Sequence, residues 1–378
     1  MTILRTTLFF CLRHQTLLLY LCALAVTLIS IASRVLFNGM VFEFDYHLYH
    51  PDGAAYTYMA LKYAGASHLE ASQEVLAWYG VNAKPGTSFD MTFFSKDDNP
   101  IVWGLAQTRV VYPLLSAPFV LLFGIKGMLV VPIISFFLLS IFTMELGRVT
   151  RNLPLALGIV FIITTSTSVS RWYIANITDG LLATILAASL LVVIRLNHST
   201  WSLFLLGLLV VMGSFTRFSL PYWFGLAIFL ILRGARPLAI VVSVVSILSF
   251  IPTFLNRPGS ESFVAGAQGD GLARALYLPI SASRVLFIEI SQLVALDRSL
   301  LLLISAALIV SLVRWKQVSA QVFVIMSLAG WSIGALNGVL GVNFRYQLPI
   351  VIFAAYTVLD ALEFSVRFFQ KTRVIDTP

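Results

Sequence analysis

Charge is what this chain has least of. Lys, Arg, Asp and Glu make up 11% of its 378 residues, less than half the share of about 25% usual in soluble domains. With 59% hydrophobic residues and a mean hydropathy of +0.91, the chain carries far more apolar surface than a soluble fold of this length needs. Short segments of alternating apolar and polar residues are missing too, which excludes a transmembrane β-barrel. Cysteine is nearly absent. Cys11 and Cys22 are the only two, and both fall in or beside the first apolar run, so no outside loop can carry a disulfide. Long charged tails, low-complexity tracts and internal repeats are lacking as well.

What is present is a series of apolar runs, at roughly 15–36, 127–146, 154–170, 180–195, 201–215, 218–232, 237–254, 297–313, 318–338 and 347–364. Runs near 20 residues read as membrane-spanning helices. The expectation is an all-α polytopic membrane protein of about ten transmembrane helices, one integrated domain over 1–378. The first run resembles a signal peptide, but it is long and lacks a small-residue cleavage site, so it reads as an uncleaved span.

Orientation follows from Lys and Arg in short loops. With the N-terminus inside, Arg5, Arg13, Arg148, Arg151, Arg195, Arg233, Arg236, Arg314, Lys316, Arg367, Lys371 and Arg373 fall on the inner side. Of the 17 acidic residues, 13 then lie outside. The net charge of +8 thus decorates span ends, and membrane lipids rather than nucleic acid are the expected partner. Both termini are expected in the cytoplasm of a bacterial inner membrane, with the site periplasmic.

Two outside segments are large, about 37–126 and 255–296. In 54–66, Tyr56, Met59, Ala60 and Tyr63 recur at helical spacing and form an aromatic face suited to the bilayer interface. The segment 110-VVYPLLSAPFVLLFG-124 is short and holds Pro113 and Pro118. As a full span it would reverse every later segment, so it reads as a re-entrant or interfacial helix.

The densest ionisable cluster, 41-VFEFDYHLYHPDGAAYTYMALKYAG-65, follows the first span directly. Asp52, after Pro51, suits the first turn of a helix, where a carboxylate meets unpaired N–H groups. Asp45 and Asp52 at a membrane surface also suit general-base chemistry on a hydroxyl. His47 and His50 with the aspartates permit a divalent cation without matching a metal motif, and no cofactor is required. Asp179, in 171-RWYIANITDGLLATILAASLL-191, sits where a helix re-enters the membrane. It reads either as a helix cap or as a functional acid, with Arg171 as an available partner. Asn176-Ile177-Thr178 fits the glycosylation pattern but lies too close to the membrane for use. Arg217 and Arg345 occupy short turns where a guanidinium suits phosphate or carboxylate. Arg109 and Lys84 join them from the first loop, and Lys126 reads as a snorkelling anchor.

The order of these elements resembles the GT-C glycosyltransferases, nearest the aminoarabinose transferase and protein O-mannosyltransferase branch, and bacterial surface-glycopolymer proteins with an acidic-Gly-x-x-Tyr first loop. The matching residues are Pro51, Asp52 and Tyr56 in HPDGAAYTYMAL, then 109-RVVYPLLSAPFVLLFG-124. Asp179 in ITDGLLA, Thr216-Arg217 and Arg345-Tyr346-Gln347-Leu348-Pro349 complete the order. The Glu-Lys-Pro of aminoarabinose transferases and their soluble C-terminal domain have no counterpart here.

The resemblance implies a GT-C-like bundle with interfacial helices in a large first exoplasmic loop. It implies a polyprenyl-phosphate-sugar donor and a surface glycan, lipid or protein acceptor. Asp52 would be the base, Asp45 and Asp179 would assist, and Arg217 and Arg345 would hold the leaving phosphate. Arg109, Tyr56, Lys84 and Tyr346 would complete substrate binding. A transporter or flippase for an anionic lipid-linked glycan is the alternative, although transporters place binding groups near the midplane and often show repeats.

Overall fold

The computed structural model describes residues 15–41, 51–82, 94, 108–195, 199–255, 272–337 and 344–375. Among these residues no strand occurs. The helices are α1 (Gln15–Val41), α2 (Pro51–Tyr63), α3 (His68–Asn82), α4 (Val111–Phe123), α5 (Val130–Val149), α6 (Leu153–Thr165), α7 (Thr167–Tyr173) and α8 (Asp179–Arg195). They continue as α9 (Thr200–Ser214), α10 (Leu220–Leu232), α11 (Arg236–Leu255), α12 (Leu272–Leu296), α13 (Arg298–Val313), α14 (Val318–Asn337) and α15 (Ile350–Ile375). By length and composition Gln15–Val35 and Val111–Val149 can cross a bilayer, with the bent pair α6–α7 a third. Five further apolar helices are shorter. Exposed apolar side chains such as Leu121, Phe123, Ile228, Phe287 and Leu312 form a surface that belongs in lipid. The chain is an α-helical membrane protein.

Helix α8 explains the centre. Beyond Asp179 its run DGLLATILAASLL is apolar on nearly every side, which suits either a protein core or lipid, and here the helix is enclosed. It packs on α5, α9 and α15, and Leu182, Ala183, Ile185, Leu186, Ala187 and Leu190 are buried. Small residues let neighbours approach, and hydroxyls supply bonds between helices. Thr184 Oγ1 donates to the Ser135 carbonyl of α5 at 2.9 Å. Thr27 Oγ1 and Ser140 Oγ link α1 to α5 at 2.8 Å.

The run expected over 154–170 is not one straight helix. The helix breaks at Ser166 and turns by 74°. A run of hydroxyls, Thr164 to Ser168, offers the backbone side-chain partners instead of the helical ladder. Ser166 takes an extended conformation and its side chain accepts from Val169 N. Asp297 then accepts from the backbone N–H groups of Thr167 and Ser168, both at 2.7 Å. Arg34 holds the Thr165 carbonyl from the other side at 3.0 Å.

The stretch Val111–Val149 counts 39 helical residues but is not one rod. The Tyr112 hydroxyl donates to the Met128 carbonyl at 2.8 Å, sixteen residues on; a straight helix would hold those residues about 24 Å apart. The chain doubles back at Gly124, whose φ is 61°. Gly127 then lies so close to the Phe119 carbonyl that a Cβ has no room. So α4 is a helix of 13 residues, about 20 Å long and separate from α5.

The aromatic face of α2 is not an interface anchor. Tyr56, Met59 and Ala60 are buried against α4, with Tyr56 edge-on to Tyr112 at 5.6 Å. Tyr63 alone of the four is exposed.

Candidate functional site

Asp179 opens α8 at the end of the helix opposite Arg195, about 24 Å away. That far end is basic and tied together. Glu145 pairs with Arg195 and accepts from the Tyr20 hydroxyl at 2.5 Å.

At the near end, Arg217 reaches Asp179 Oδ1 at 2.6 Å and Arg345 Nε reaches Oδ2 at 3.0 Å. The three side chains come from the start of α8, the α9–α10 turn and the segment before α15. Asp179, Arg217 and Arg345 are 3%, 6% and 7% exposed, so the cluster is enclosed and carries one positive charge in excess. Coulomb attraction at this distance is strong in a low dielectric and works against the cost of desolvating three ions.

Aromatic rings frame the cations. The Arg217 guanidinium lies over Tyr346 at 4.9 Å and Arg345 over Trp172 at 5.5 Å. Arg171 stacks on Trp172 too, at 5.0 Å. Cations over ring faces gain quadrupole attraction that survives desolvation. The Tyr222 hydroxyl donates to the Tyr346 carbonyl at 2.5 Å and so fixes that turn. A cavity of about 10 Å³ lies among Asp179, Arg217, Tyr222, Arg345 and Tyr346, space for about one water.

The first-loop helices meet this cluster through its flank. Gly53, next to Asp52, packs so closely on the Asn176 side chain that a Cβ would overlap it. Asn176 Nδ2 donates to the Tyr79 hydroxyl of α3, and Tyr79 lies 3.3 Å from Thr57 Oγ1 of α2. Asn176 is fully buried, which removes it as a glycan acceptor. Arg109 Nη1 donates to the Tyr56 hydroxyl at 2.6 Å, and Val111 N bonds the Phe215 carbonyl at 3.2 Å, two residues before Arg217.

The start of α2, the residues before α4, Asp179, Arg217, Arg345 and Tyr346 therefore converge. Asp52 is placed through its backbone, and its side chain lies outside the described set. So do Asp45, His47, His50 and Lys84. Among the described residues no three His, Cys, Asp or Glu side chains gather as metal ligands.

Three residues escaped the sequence reading. Trp172 and Tyr222 carry no signature that separates them from core packing, and Asn176 stood out only through its glycosylation pattern. Glu289, by contrast, stands alone in the apolar run VLFIEISQLV, a visible sign of a special acid. It is 6% exposed, and burial pushes its carboxyl up to about 7, against a bond from the Phe344 backbone that lowers it. Phe344 itself has φ 66°, a conformation costly for a bulky residue and concentrated at functional sites.

No protein-family model matches the chain, and no curated protein matches it in sequence.

Proposed function

We propose that the chain is an integral-membrane glycosyltransferase of the GT-C type. It has about ten spans and moves a sugar from a polyprenyl-phosphate-linked donor to an exoplasmic acceptor with inversion. The observation that supports this reading is the docking of the α2 start, which bears Asp52, onto the segment that leads to Asp179 and its two arginines. In this reading the backbone that bears the base and the cluster that acts as an anion clamp come from distant parts of the chain to one end of the bundle.

In this mechanism the acceptor oxygen attacks the anomeric carbon while the bond from that carbon to the phosphate oxygen breaks. The lipid phosphate leaves with the bonding pair, and Asp52 takes the acceptor proton. Arg217 and Arg345 meet the charge that develops on the leaving phosphate. With room for one water, the cluster admits phosphate only when a guanidinium leaves Asp179. Asp179 is then a positioning residue that stores both cations in the empty site.

The test is release of polyprenyl phosphate from a lipid-linked sugar by the full chain in proteoliposomes. Asp52→Asn should abolish release at normal protein level, and Arg345→Ala should lower it by about a hundredfold. Unchanged release from Asp52→Asn would sink the mechanism. Movement of the lipid-linked sugar across the bilayer without release would identify a flippase instead.

A further inference from the structure

A second cavity lies between α12, α13 and α14, on the far side of the segment that carries Arg345. Its volume is about 490 Å³, within the range of about 300–1,000 Å³ typical of small-molecule sites. The walls are apolar, with Leu293, Ile304 and Phe323 among them. At the rim Leu286, Ile290, Leu308 and Leu328 are exposed, so the opening lies on a surface suited to lipid tails rather than water.

Into this apolar lining the fold sets Glu289, Ser327 and Gln347. Each keeps a buried polar atom without a hydrogen-bond partner: Glu289 Oε2, Ser327 Oγ and Gln347 Oε1. Three such atoms around one cavity are unusual, because an unsatisfied buried group costs about 1–3 kcal/mol.

We propose that this chamber binds a long-chain lipid whose head is a hydrogen-bond donor, a hydroxyl or an amine, received by Glu289, Gln347 and Ser327. The chemistry of two of the three atoms, Glu289 Oε2 and Gln347 Oε1, selects that head. The Gln347 amide oxygen and the ionised Glu289 carboxylate are acceptors, and the Ser327 hydroxyl serves in either role, so above the Glu289 titration the two free acceptor atoms want a donor. A second anion beside Glu289 would meet like-charge repulsion in a low dielectric. The two ends of the molecule's polar chemistry are thus divided. The arginine cluster takes anions, and the chamber takes donors. Within the transferase reading such a lipid is the acceptor, but the binding claim does not rest on that reading.

Photolabelling of the full chain in nanodiscs tests it. The probes are a diazirine-bearing long-chain alcohol and the fatty acid of equal length, in mildly alkaline buffer that keeps the acid ionised. The alcohol should label peptides covering 285–294 and 323–331, about tenfold above the acid. Glu289→Leu should reduce alcohol labelling there by about tenfold. Ser327→Trp, which fills the chamber, should remove it while the elution profile of the protein stays unchanged. Equal labelling by alcohol and acid, labelling indifferent to Glu289→Leu, or labelling that survives Ser327→Trp would overturn the proposal. So would an absence of label from both peptides.

Discussion

Asp179 and Glu289 are both buried carboxyl groups in one helical bundle, at 3% and 6% exposure, yet they solve the problem of burial in opposite ways. Asp179 is gripped by two guanidiniums. Glu289 receives one backbone bond from Phe344 and leaves Oε2 without a partner. Asp297 takes a third route, accepting two backbone N–H groups at the start of α7 and the Ser168 hydroxyl. The same functional group is a structural ion in the first setting, a helix cap in the last, and a chemically unsatisfied acid between them. The lesson is that partners, not burial, decide what a carboxyl in a membrane protein does.

The largest effect that would break this contrast is at Asp179. Asp179→Ala leaves two enclosed guanidiniums facing each other and should cost about 3–5 kcal/mol, read as a large drop in melting temperature in detergent. A variant as stable as the parent would show that the cations are not held by this acid.

Glu289 should respond with the opposite sign. Its carboxyl sits near 7 in the folded protein, above its ordinary value of 4.5. A raised carboxyl opposes folding once ionisation begins, so the penalty is absent well below the unfolded value. It grows through the interval and is full above about pH 7. Glu289→Gln should therefore match the parent near pH 4 and exceed its stability by about 1–3 kcal/mol at pH 8. A difference independent of pH would refute the assignment.

Asp297→Ala sharpens the third case. Loss of a cap should cost about 1–2 kcal/mol, with hydrogen exchange rising first in α7. Smallest of all, Thr184→Val removes the bond from α8 to the Ser135 carbonyl and should cost about 0.6 kcal/mol. A cost as large as that of Asp297→Ala would mean that the packing of α8 depends on this hydroxyl more than on its small residues.

Much of the helix layout was legible because apolar length is a local property. The run 180–195 became Asp179–Arg195, and 237–254 became Arg236–Leu255, since side-chain hydropathy along ten or twenty residues needs no distant partner. The break at Ser166 was not legible. Its hydroxyl run is visible, but the acid that stabilises the bend lies 130 residues away at Asp297. The aromatic stripe of α2 misled for a related reason: periodicity reveals a face and not what covers it, and here the cover is α4.

The candidate site divides along the same line. Asp179, Arg217 and Arg345 stood out because charge is scarce in this chain, and a lone ion at a span end is conspicuous from sequence alone. Their mutual pairing joins residues 38 to 166 positions apart and belongs to the bundle. So does the exclusion of everything larger than a water from the gap between them. By itself the sequence determined an all-helical membrane protein whose few ions gather at helix ends, because hydrocarbon tolerates neither open backbone nor stray charge. Only the tertiary structure decided which ion meets which, since Coulomb attraction and hydrogen bonding act across a few ångströms of space and take no account of distance along the chain.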